Sequence, residues 1–65
     1  MKDITNNKYS ENDIRDWKRY ERVRLGGMYN MFDPRAREST GLTTERYGFI
    51  LQNYSEISEQ FENNR

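Results

Sequence analysis

Two carboxylate pairs stand three residues apart, Asp13 with Asp16 and Glu56 with Glu59. On a helix each pair shares a face and can bind a divalent cation weakly, although hard cations ordinarily demand six or more oxygen ligands. Without further ligands such a pair is ordinarily solvated surface. A third group is basic: Arg15, Lys18, Arg19, Arg22 and Arg24, interrupted by Asp16 and Glu21. Arg15, Lys18, Arg19 and Arg22 follow three-and-four spacing and so share one helix face. That face can contact phosphates, each one adding to the salt dependence of binding. It can equally meet an acidic protein surface, or stand in solvent with an internal pair such as Lys18 to Glu21.

Residue types restrict catalysis severely. The chain has no histidine and no cysteine. The usual nucleophile–base triads and the usual zinc sites therefore lack their parts. Gly26-Gly27 is not followed by the Lys-Ser/Thr of a phosphate-binding loop. The expectation is a protein that is not an enzyme and that uses no metal and no cofactor.

Residues 23–39 concentrate a different chemistry. Two glycines, Gly26 and Gly27, break the backbone, and Met28, Tyr29, Met31 and Phe32 follow within five positions. Asp33-Pro34 then restarts a helix, since Asp caps and Pro suits the first helical position. Aromatic residues, Met and Arg are enriched at the centres of protein interfaces. Met28, Tyr29, Met31, Phe32, Arg35 and Arg37 have that composition. Met31 and Phe32 are expected to plug the end of the helical domain. Tyr29, Arg35, Arg37 and Phe49 fit no apolar stripe. They are the expected partner contacts, together with the basic face of Arg15, Lys18, Arg19 and Arg22.

The elements that position these residues are helical. Ser10 and Asp13 form a capping box, with Tyr9 and Ile14 placed as a hydrophobic staple. A first helix runs from there to about Leu25, carrying Ile14, Trp17, Tyr20, Val23 and Leu25 on a broad apolar face, and Gly26 ends it. A short helix over 34–39 stops at Gly41. Thr43 caps a third helix, with Leu42 and Tyr47 as its staple pair. In that helix Tyr47, Ile50, Leu51, Tyr54, Ile57 and Phe61 recur at intervals of three or four, which makes one stripe. The pattern predicts an all-α, three-helix domain, long–short–long, with the two long helices packed antiparallel. The domain spans 9–62, with a flexible tail at 1–8 and another at 63–65.

Composition sets the scale. A chain of 65 residues makes a single domain, and with 32% hydrophobic and 34% charged residues its core is small. Domains of this size usually need a staple, and here neither a disulfide nor a zinc site is open to it. Partner binding or self-association is the expected staple, with a plain monomer of a few kcal/mol stability as the alternative. Eleven basic residues balance eleven acidic ones, whereas a dedicated nucleic-acid binder shows a basic excess. No apolar run reaches membrane-spanning length, and residues 1–7 lack the core of a signal peptide, so the reading is cytoplasmic. The glycosylation pattern Asn53-Tyr54-Ser55 is then a chance match.

Residues 34–51 also follow the order of a DNA-binding helix-turn-helix. A small residue normally stands four positions before the turn glycine, yet that position holds Arg37, with Ala36 five before. The recognition helix would present Thr43, Thr44, Arg46, Gly48 and Phe49, with one Arg for phosphates or guanine edges. An ordinary packing unit fits better.

The run from Val23 to Asp33, Val-Arg-Leu-Gly-Gly-Met-Tyr-Asn-Met-Phe-Asp, resembles a recurring element in small uncharacterised proteins of tailed phages. There, too, an Arg and a Gly precede Asn-Met-Phe-Asp. A short helix, a glycine turn and a helix ending near Asn-Tyr-Ser follow, matched here by Gly41-Leu42 and Asn53-Tyr54-Ser55. The resemblance covers roughly residues 14–57 and brings no activity with it. It implies a phage source, and so a small host-directed protein in the cytoplasm of an infected bacterium that binds and modulates or inhibits a host protein. The alternatives are a small DNA-binding regulator built on 34–51, or a structural homodimer pairing along Tyr47, Ile50, Tyr54, Ile57 and Phe61.

Overall fold

A computed structural model describes residues 8–63. The tails expected at 1–8 and 63–65 therefore lie outside the described residues, apart from Lys8 and Asn63. Ser10 opens the first helix as anticipated. Its hydroxyl accepts from the Asp13 N–H at 3.2 Å, and the Asp13 carboxylate accepts from the Ser10 N–H at 3.0 Å. Helix α1 then runs Glu11–Gly26. The stop falls one residue later than the sequence suggests: Gly26 is still helical, and Gly27, at φ 69°, takes the left-handed turn.

Asp33 accepts from the Arg35 N–H at 2.8 Å and begins α2, Pro34–Thr40. Gly41, at φ 78°, ends it. The Thr43 hydroxyl accepts from the Arg46 N–H at 3.2 Å and begins α3, Thr44–Gln52. A fourth helix, α4, covers Tyr54–Asn63. The chain is all-helical, with four helices and no strand among the described residues.

The long third helix is thus two helices, which corrects the long–short–long expectation. Asn53 is the cause. Its side-chain amide donates to the Phe49 carbonyl at 2.8 Å, the same oxygen its own N–H reaches at 3.1 Å. Its backbone sits at φ −113° and ψ 16°, outside the helical well. Asparagine competes with helix hydrogen bonding in this way. The Tyr9 hydroxyl holds the outer end of the same amide, 3.0 Å from Oδ1. The Asn53 carbonyl then accepts from Ile57 at 2.9 Å, so α4 starts without a loop.

Trp17 and Tyr20 of α1, Leu42, Tyr47 and Ile50 around α3, Ile57 of α4 and Tyr9 form the buried core. Tyr20 stacks near Tyr47 and Tyr54, with ring centroids 5.4 and 5.7 Å away. Trp17 lies 5.8 Å from Tyr54 and 5.2 Å from Phe61. Later residues of α1 thus meet earlier ones of α4, the antiparallel sense. The stripe that was a candidate for homodimer pairing is consumed inside the chain. Tyr47, Ile50 and Ile57 are buried, and Tyr54 and Phe61 are half-buried against Trp17.

Candidate protein-binding surface

The connector between α1 and α2 is built by short-range hydrogen bonds. Asn30 closes it: its side-chain oxygen accepts from the Phe32 N–H at 2.9 Å, and its carbonyl accepts from Asp33 at 2.8 Å. The Tyr47 hydroxyl pins it from the core side by donating to the Met31 carbonyl at 2.6 Å. Met31 packs against the core as expected. Phe32 does the opposite of plugging the domain. It is 82% exposed, because the Asn30 turn sends consecutive residues to opposite sides. Met28 is 78% exposed and Leu25 69%, and with Phe32 they form the set of exposed large hydrophobics among the described residues. All three lie within eight consecutive positions.

Leu25 was expected on the apolar face of α1. At about 100° per residue it lies roughly 140° around the helix from Tyr20, and that offset in the sequence was the available sign of its exposure. Met28 and Phe32 carried no comparable signal, since a turn outside a helix has no period from which to read a facing direction.

The expected contacts fall into two groups. Phe49 and Arg37 serve the fold. Phe49 packs edge-on against Tyr9 at 6.1 Å and lies under the Arg46 guanidinium at 4.9 Å. Arg37 donates to the Leu42 carbonyl at 3.2 Å and so ties down the α2–α3 turn. Tyr29 and Arg35 flank the exposed connector. The Arg35 guanidinium sits 5.6 Å from the Tyr29 ring and holds the Asp33 carboxylate at 3.0 and 3.3 Å. That contact draws the Asp33 carboxyl below the usual range.

The basic face of α1 is open to solvent. Arg15, Lys18, Arg19 and Arg22 are all exposed. Lys18 does not pair with Glu21; its ammonium lies 5.0 Å over the Phe61 ring. Glu21 is instead claimed by Arg24, at 2.6 and 3.0 Å, and by the Tyr54 hydroxyl at 2.7 Å. Those hydrogen bonds, the Arg24 one foremost, pull its carboxyl down despite partial burial. Arg19 reaches the C-terminal end of α2: its guanidinium is 3.9 Å from where a Gly41 Cβ would stand. The carboxylates Asp13 and Asp16 face a cation after all, but it is Arg46, at 2.6 Å from one and 2.9 Å from the other. Glu56 is held by the Tyr9 hydroxyl and by Lys8. That hydrogen bond pushes the Tyr9 phenol up to about 12.

Of the residues the helix-turn-helix reading would present, Thr43 and Thr44 are exposed and Arg46 is engaged within the chain. Arg46, the one cation of that reading, is locked between Asp13 and Asp16 under cation–π contact with Phe49. Tyr47 and Ile50 face inward. No helix among the described residues is long and apolar enough to cross a membrane.

The fold and the surface together define a class: a small all-helical domain with an exposed apolar connector beside a basic helix face. No known protein family, curated protein or solved structure matches the chain.

Proposed function

We propose that this protein is a small binding module that acts by occupying the surface of another protein, with the connector Leu25–Phe32 as its contact element. One observation carries the reading. The large exposed hydrophobics of the described chain are gathered in the last turn of α1 and the connector that follows it rather than scattered. Scattered apolar residues are ordinary on protein surfaces, whereas a contiguous patch marks an interaction site. The hydrogen bonds from Asn30 and Tyr47 support the same reading, because they hold the connector in shape before any partner arrives.

The resemblance to small tailed-phage proteins makes a bacterial host protein the partner to seek, modulated or inhibited by stoichiometric binding. The test compares the intact chain with a Leu25→Ser/Met28→Ser/Phe32→Ser variant as baits in a host lysate. A stoichiometric partner retained by the first and lost by the second is the expected result. A partner held equally by both, or no partner at all, overturns the reading.

A further inference from the structure

The three exposed side chains present on the order of 400 Å² of apolar surface, the scale of a functional patch on a small protein. A specific interface takes about 800 Å² from each partner, so the connector supplies roughly half of one. The rest must come from ground adjoining it. The outward face of α1 leads straight into Leu25: Arg22 precedes it by three positions, with Lys18 and Arg15 a turn and two turns further back.

That adjoining ground is positively charged, and Lys18, Arg19 and Arg22 have no ion-pair partner among the described residues, while Arg15 pairs with Asp16 at 3.4 Å and stays exposed. From Lys18 to Arg37 the chain carries six basic residues and two acidic ones. Both acids are already taken, Glu21 by Arg24 and Asp33 by Arg35. The next acid, Glu38, lies beyond this stretch on α2. Arg22 has no ion-pair or hydrogen-bond partner among the described residues. Lys18 has only an aromatic ring beneath it.

We infer that the partner presents an acidic surface beside an apolar recess: the recess takes Leu25, Met28 and Phe32, and the acids meet Arg15, Lys18 and Arg22. The inference rests on the connector being the contact element. Charge complementarity selects this occupant over a second copy of the chain. A two-fold pairing through this surface would set basic face against basic face. The chain's own acidic residues on α4 are Glu56, Glu59 and Glu62; the open hollow beside the first two is lined otherwise by Ser55, Ser58 and Tyr54, and Tyr54 is already held by Glu21 and Trp17, so it does not seat three large hydrophobics.

A random peptide-display selection on the immobilised full chain reads the chemistry directly. Three baits are used: the intact chain, the Leu25→Ser/Met28→Ser/Phe32→Ser variant, and an Arg15→Gln/Lys18→Gln/Arg22→Gln variant that spares Arg19 for its place at the end of α2. Far-UV circular dichroism confirms that each is folded. The intact chain should enrich peptides combining Asp or Glu with Leu, Phe or Trp. The glutamine variant should bind the best of them at least tenfold more weakly. Raising salt from about 50 to about 300 mM should weaken the intact chain by a similar factor and the glutamine variant far less. Peptides that need the connector but carry no acidic excess overturn this inference and leave the binding-module reading standing. Peptides that bind the serine variant equally, or no enrichment at all, overturn both. Tighter binding to phosphatidylglycerol vesicles or to duplex DNA than to any selected peptide also overturns it, and names a lipid or nucleic-acid surface as the occupant.

Discussion

At the scale of single residues, the most informative polar atoms lie around Trp17 and Asp13. The Trp17 indole N–H is buried with no hydrogen-bond partner. A buried donor left unmade costs about 1–3 kcal/mol, so removing it returns part of what the smaller ring loses in packing. Trp17→Phe should therefore cost no more than about 1 kcal/mol, well short of the ~3–5 kcal/mol of an ordinary large truncation. Urea unfolding followed by circular dichroism measures it, and a loss of the larger size would show that the indole has a partner. Asp13 behaves oppositely. Burial alone would raise its carboxyl, but the Arg46 guanidinium and the Ser10 hydrogen bonds outweigh this and hold it below the usual range. A carboxyl lower in the folded than in the unfolded chain stabilises above its unfolded value, near pH 4, and that stability fades as pH falls through the folded value. Stability should drop as pH is lowered below about 4.5, and Asp13→Asn should be less stable near neutrality with a shallower acid limb. Equal slopes for the two proteins would remove Asp13 from the account.

Elements are bounded in this chain by short side-chain devices, and these were legible in advance. Ser10 with Asp13, Asp33 and Thr43 cap as their types imply, and Pro34 takes the first turn of α2. The break at Asn53 was not legible. Asparagine inside an unbroken apolar stripe is tolerated in many helices, and what tips this one is a hydroxyl from Tyr9, distant in sequence. Glycines test the boundaries cleanly. Gly41 sits at φ 78°, where any side chain is strained, so Gly41→Ala should destabilise by about 1 kcal/mol. Gly48 lies within α3 with nothing within 4 Å of an added Cβ, so Gly48→Ala should stabilise by about 0.5–1 kcal/mol. Thermal melts of the two variants should move in opposite directions.

Across the whole molecule, apolar surface is divided between a core and a connector that the core does not use. Because Leu25, Met28 and Phe32 bury little, the triple serine variant should keep its unfolding free energy to within about 0.5 kcal/mol. A larger loss, read from the same urea curves, would mean that the connector packs inward. The sequence by itself determined the all-helical class, the starts of α1, α2 and α3 and most of the core, because caps and a three-to-four apolar period act over a single turn. It also determined that a basic face and an aromatic, Met-rich connector lie next to each other. Only the tertiary structure decided which of those residues are spent. Phe49 and Arg37 went to the fold, and Phe32 went outward. The reason is physical: a helix period predicts which residues share a face, but a turn such as the one Asn30 closes has no period. Which side of it is buried is settled by partners far along the chain, here Tyr47 at the Met31 carbonyl.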